Sequence, residues 1–164
     1  HEHSVQLYLQ ALEGTEATGG AGTSRTLSIH IGLGRSYRSL GNMDLALHHL
    51  TEAVAVGMAV NPNGVRTGLA LSSLASLDNS GLTEAERDNQ FEHALSIVTA
   101  AVGADHTDRA AILLEFARYL DDTNQTERAQ ALFEEALVIK TDVLGIGHDH
   151  VSATRAELEQ RFGK

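Results

Sequence analysis

Phe91-Glu92-His93-Ala94-Leu95-Ser96-Ile97 and Phe133-Glu134-Glu135-Ala136-Leu137-Val138-Ile139 align position for position at a spacing of 42 residues. Behind each stand a glycine and a histidine at the same spacing, Gly103 with His106 and Gly145 with His148. Forty-one residues before Phe91 lies Leu50-Thr51-Glu52-Ala53-Val54-Ala55-Val56, and 42 further back Tyr8-Leu9-Gln10-Ala11-Leu12. A fixed period of this length marks a repeat architecture, in which each unit buries its apolar face on the next.

Each copy carries two helical patterns. Leu33, Gly34, Tyr37 and Leu40 share one helical face, and Gly41-Asn42 then breaks the helix. The following helix presents Ala46, Leu50 and Ala53 at spacings of four and three, the period of a buried stripe. The later copies repeat this with Leu74 and Ala75 ahead of Phe91 and Ala94, and with Phe116, Ala117 and Leu120 ahead of Ala129, Phe133 and Ala136. Small residues at Gly34, Ala75 and Ala117 are expected where the helices of a pair cross closely, and Leu50, Phe91 and Phe133 between neighbouring pairs.

Composition agrees. Aromatic residues make up only 4% of the 164, Pro62 is the sole proline, and Ala and Leu dominate the apolar set, which favours slender, closely approaching helices. The length suits one domain. A net charge of −10 argues against a general nucleic-acid binder and against docking on an anionic membrane. Cysteine is absent, and no apolar run reaches the roughly 20 residues that span a bilayer. Nothing at the start reads as a signal peptide, so cytoplasmic residence is expected. The abrupt helical opening His1-Glu2-His3-Ser4-Val5 reads as a domain cut from a longer protein.

Leu33-Gly34-x-x-Tyr37 with Ala46, Leu50 and Ala53 resembles the tetratricopeptide motif. The 42-residue period, together with the strings Val102-Gly103-Ala104-Asp105-His106 and Val143-Leu144-Gly145-Ile146-Gly147-His148, is similar to the kinesin-light-chain subclass. The resemblance implies an all-α, right-handed α-α superhelix of about four helix pairs with a C-terminal capping helix. The approximate copies are 1–26, 27–67, 68–109 and 110–151, with the cap at 152–164. Arg87 replaces an expected small residue and Asp78 an expected aromatic or Leu, which predicts looser packing of the third copy. Gly14 to Ser24 reads as a loose connection.

The periodicity places helices at about 3–13, 25–40, 43–60, 64–79, 83–102, 106–122, 126–144 and 148–162, with Thr83 and Thr126 as N-terminal caps. Val151, Leu158 and Phe162 give the last helix an inward face that covers the preceding pair, as a terminal element of a solenoid must. The repeat-related histidines suit turn-forming or capping roles better than metal ligation. His48 and His49 are expected in solvent.

No nucleophile sits in a strand–turn–helix elbow, and adjacent acids such as Asp121-Asp122 point about 100° apart on a helix, so no catalytic set is found. Gly32-Leu33-Gly34 lies inside a helical pattern and lacks the rest of a phosphate-binding signature. No cofactor and no metal is expected. The function read here is a scaffold or adaptor that binds a protein or peptide; the other reading is a regulatory or oligomerising segment of a larger signalling protein.

The first helix of each pair should line the concave side. Its candidate ligand-facing residues are Ser28, Ile31, Arg35 and Arg38, then Leu69, Ser72, Ser76 and Asn79, then Leu114, Glu115, Arg118 and Asp122. Gly32, Ser73 and Glu115 occupy the positions where chaperone-tail clamps of the broader family carry asparagines, which disfavours that ligand. Residues 24–43 hold three arginines and no acid, whereas 105–135 hold eight acids and three arginines. A partner with acidic residues near the second copy is therefore expected. Reversing Arg35 and Arg38 to Glu should weaken it with little effect on stability.

Overall fold

The computed structural model describes residues 1–20 and 22–163 of the chain; Ala21, within the Gly14–Ser24 connection, and Lys164, at the end of the cap, lie outside the described residues. Eight helices follow one another: α1 (Glu2–Ala17), α2 (Ser24–Ser39), α3 (Met43–Val60), α4 (Val65–Ala75), α5 (Glu84–Val102), α6 (Thr107–Asp122), α7 (Thr126–Leu144) and α8 (Asp149–Phe162). No strand occurs among the described residues.

Three antiparallel pairs, α2–α3, α4–α5 and α6–α7, are flanked by α1 and α8, and each second helix packs on the first helix of the next pair. The first helices also touch one another in series, α2 on α4 and α4 on α6, whereas α3, α5 and α7 make no such approach. The stack therefore curves with α2, α4 and α6 on its inner side.

The repeat pattern explains the packing. Leu50, Phe91 and Phe133 are fully buried between pairs. Gly34 lies directly against the Leu50 side chain, where a Cβ would collide with it. Phe91 stacks on Phe116 at 4.6 Å and on Tyr119 at 5.6 Å, joining α5 to α6. Gly103 and Gly145 end α5 and α7 with φ of 93° and 87°, a conformation that penalises any side chain.

Helix ends differ from the periodic reading where local chemistry intervenes. α1 runs on to Ala17, its last turn held by the Thr15 hydroxyl donating to the Ala11 carbonyl at 2.7 Å. A capping box of Thr23 and Thr26 starts α2. α4 stops at Ala75 instead of 79, because Ser76 donates to the Ser73 carbonyl and Asp78-Asn79-Ser80-Gly81 favours turns. Leu77 nonetheless remains buried against Ala46 and Leu50. Thr83 caps α5 with Glu86 in the expected box. Thr126 does not cap α7: it is the first helical residue, and the chain turns instead at Asn124, with φ of 62°.

The two departures in the third copy meet each other. Arg87 donates to the Asp78 backbone carbonyl at 2.7 Å, lies 3.7 Å from its carboxylate, and sits over the Tyr119 ring at 5.5 Å. Arg87 stands where the sister copies carry Ala46 and Ala129, and its side chain is only 11% exposed.

α8 closes the stack. Val151 and Thr154 are buried and Phe162 meets Phe133 edge-on at 5.5 Å. Where α6 turns Ala110, Leu113, Leu114 and Ala117 towards α7, the residues 42 further on are Ser152, Arg155, Ala156 and Glu159. That face is largely polar where the face of α6 is apolar.

Candidate functional site

The inner face is built from positions that recur on α2, α4, α6 and α8. Gly32, Ser73, Glu115 and Glu157 share one register, and Arg35, Ser76 and Arg118 the register three residues on. Side chains three apart on a helix lie on one face, and each row faces its counterpart on the next first helix.

Glu115 is the centre. Its carboxylate is buried and accepts from the Ser72 hydroxyl at 2.5 Å and from Ser73 at 3.3 Å. Arg35 and Arg38 approach the same oxygen, Oε1, at 3.3 and 3.8 Å. Arg35 also donates to Ser73 at 2.9 Å and Arg38 to the Ser76 hydroxyl. One carboxylate thus ties α2, α4 and α6 together.

The pattern continues to α8. Arg118 grips Glu157 through two N–H groups at 2.7 and 2.6 Å. That bond raises the arginine pKa further and holds the Glu157 carboxyl below its usual range, against the opposing effect of burial. Arg161 reaches Glu157 at 3.3 Å and Asp121 at 2.5 Å.

A cleft of about 340 Å³ opens beside this network, lined by Arg38, Ser76, Glu115, Arg118 and Asp122, together with Asp78, Arg87, Tyr119 and Thr123. A second, of about 330 Å³, holds Ser28, Ile31 and Arg35 beside Tyr8, whose ring lies directly on Gly32. The candidate residues therefore fall into different environments. Ile31 and Leu114 are core residues, Ser72 and Glu115 are internal, and Leu69 belongs to a cleft at the edge of the stack. Asn79 lies beyond the end of α4, its buried Oδ1 lacking a hydrogen-bond partner among the described residues.

The arginines of the second copy are thus not free of acid, as the linear charge count suggests, because the fold carries Glu115 to them. The sequence reading also missed Glu157 and Tyr8. Glu157 was accessible to it, since it stands 42 residues after Glu115; Tyr8 was not, since α1 reaches Gly32 only through tertiary packing.

His106 and His148 cap α6 and α8, each ring Nδ1 accepting from the backbone two residues on at 3.1 Å. His48 is exposed, but His49 is buried, contrary to expectation. His49 stacks on Tyr37 and shares a 3.1 Å Nδ1···Nδ1 hydrogen bond with His30 of α2. Burial, then the neighbouring His30 and His48, push its pKa down to about 4. His30 is also lowered by burial, with Glu52 opposing.

No helix among the described residues is long and apolar enough to cross a membrane. No curated protein matches the chain. A family model, the tetratricopeptide repeat, matches residues 109–151, which cover most of α6, all of α7 and the start of α8; the match is to the repeat and not to a subclass of it. Eight helices packed neighbour on neighbour, with that match over one repeat, are consistent with an all-α solenoid like that of tetratricopeptide repeats.

Proposed function

We propose that the chain is a protein- or peptide-binding scaffold that holds an extended segment of a partner along its inner face. Tetratricopeptide repeats are in general an interaction fold and not a catalytic one. The observation that carries the reading is the row of arginines fixed on one face. Arg35 is held by Glu115 and Ser73 and Arg38 by Glu115 and Ser76, yet they keep about a third of their side-chain surface in solvent, 36% and 30%. Their side chains are already ordered, so a partner carboxylate near the second copy would meet donors whose entropy is spent beforehand.

Peptides selected from a displayed random library test this. Affinity for a selected peptide should fall at least tenfold in Arg38→Ala, which removes a donor, or in Asp122→Arg, whose longer side chain fills the cleft the two residues line together, with the helical spectrum retained. A peptide that binds both variants as it binds the parent lies elsewhere and removes this reading.

Self-association is the second reading. It is favoured by apolar side chains left in solvent on α1, Leu7 at 52% and Leu9 at 42%, and at the α7–α8 turn, Ile146 at 68%. Sedimentation velocity of the parent and of Leu7→Glu/Leu9→Glu distinguishes it. A monomer at all concentrations eliminates it.

A further inference from the structure

We propose a second docking site, on the edge of the solenoid where α2, α4 and α6 begin, for a partner segment that carries an apolar side chain next to an acidic one. The proposal rests on the reading of the chain as a peptide-binding scaffold, and it names a different face and a ligand chemistry.

A cleft of about 490 Å³ lies between the end of α3, the end of α5 and the first turns of α2, α4 and α6. Leu27, Val65 and Leu69 line its interior, and Val60 and Val102, 41% and 39% exposed, stand at its walls. Val60 is the last residue of α3 and Val102 the last of α5, so the ends of two successive second helices set two apolar walls at one gap. The cleft is preformed. Gly57 lets α3 close on Thr67, whose hydroxyl donates to the Asn61 carbonyl at 2.7 Å, and Gly68 lets α4 close on Val98 and the Ala94 carbonyl. Pockets that admit peptide side chains without rearrangement share this apolar, rigid character.

Charge selects the occupant. Arg66 lines this cleft and also an adjoining one of about 450 Å³, where Arg25 stands beside it; the two clefts share Ser24 as well. Both arginines are exposed, and neither takes an ion-pair or hydrogen-bond partner among the described residues. By contrast Arg35, Arg38, Arg87, Arg109, Arg118, Arg128 and Arg161 are engaged with acids, and Arg155, which like Arg25 and Arg66 takes no such partner among the described residues, stands apart from them on α8. In a chain of net charge −10, two neighbouring uncommitted arginines form a local positive field. Among the described residues the only carboxylate on the cleft rim is Asp108 in the first turn of α6, 3.3 Å from the ring of the capping His106. An acidic side chain on Arg66 and Arg25, with the adjacent apolar side chain between Val60 and Val102, satisfies both halves of the surface.

The test uses the whole chain and random peptides displayed on phage, followed by fluorescence anisotropy of the selected sequences. Enrichment of an apolar residue beside Asp or Glu is expected. Binding of those peptides should fall at least tenfold in Arg66→Glu and in Val102→Asp, weaken with added salt, and remain unchanged in Arg38→Ala and Asp122→Arg. Arg66 is exposed in the first turn of α4, where an acid is favourable, so Arg66→Glu should keep the parent melting temperature. Selected peptides that lack the acid, or that ignore Arg66→Glu, overturn the proposal. If those peptides instead weaken in Arg38→Ala and Asp122→Arg, the inner-face reading stands and the edge site falls. Failure to enrich any peptide counts against both.

Discussion

The Ser72 hydroxyl and the Glu115 carboxylate, on neighbouring inner helices and both buried, share a 2.5 Å hydrogen bond. Around that bond the arginines of α2 are only half-buried, so the two sides of the network are unequal. Removing the carboxylate leaves cations that water can reach; removing the cations leaves an anion that it cannot. Arg35→Glu/Arg38→Glu should therefore cost about 3–5 kcal/mol and Ser72→Ala about 1–3 kcal/mol. Glu115→Gln, which retains the shape and part of the bonding, should cost less than the double reversal. Thermal or urea unfolding of the three variants checks the order. The double reversal is thus not the stability-neutral probe of partner binding that the linear sequence suggests.

Arg87 acts through the backbone of Asp78 more than through its side chain. The Asp78 carboxylate is 94% exposed and 3.7 Å away, whereas the carbonyl bond is 2.7 Å. Exposed ion pairs contribute little. Asp78→Ala should change stability by less than about 0.5 kcal/mol, and Arg87→Ala should lower it by about 1–2 kcal/mol through the lost carbonyl bond and the lost cover of Tyr119. Equal effects in chemical denaturation would show that the carboxylate carries the contact.

Ala136 is completely buried between α6 and α7, and Ala55 faces solvent on α3. An arginine at 136 must displace packed side chains and bury a charge, at a cost of several kcal/mol. At 55 it should stay within about 0.5 kcal/mol of the parent. Melting temperatures of Ala136→Arg and Ala55→Arg read this directly, and similar values would contradict the packing of the third pair.

His49 predicts a pH dependence. Its folded pKa of about 4 lies below the unfolded value near 6.5, so the unfolded chain binds the extra proton first. The stability that comes from keeping the ring neutral is present above pH 6.5 and is lost as pH falls towards 4. It amounts to about 2 kcal/mol once partial screening by solvent is allowed for. Two protons on the pair would also set Nδ1–H against Nδ1–H across the 3.1 Å contact with His30. His48 on α3 opposes protonation of both rings, and Glu52 and Glu16 favour it at His30. The slope of unfolding free energy between pH 6.5 and 4 should flatten in His49→Phe, which keeps an aromatic ring against Tyr37. Glu157 contributes in the same direction only at lower pH, as its depressed carboxyl takes up its proton. An unchanged slope in His49→Phe would place the titration elsewhere.

Local periodicity determined the helices, their pairing and which residues enter the core. A buried stripe at spacings of three and four is a property of one segment, and a 42-residue register repeats it, so Leu50, Phe91 and Phe133 were assignable from the chain alone. The polar face of α8 and the alignment of Glu157 with Glu115 were legible for the same reason. The inner face was not. Which candidate side chains reach a ligand depends on contacts between residues about 40 positions apart, and the fold used Ser72 and Glu115 to brace its own helices. His49 was misplaced likewise: by period it lies on an outer helix, but His30 and Tyr37 of the neighbouring helix cover it. Tertiary structure decided these points because burial and pairing are properties of two surfaces brought together, while helical propensity and period are properties of one.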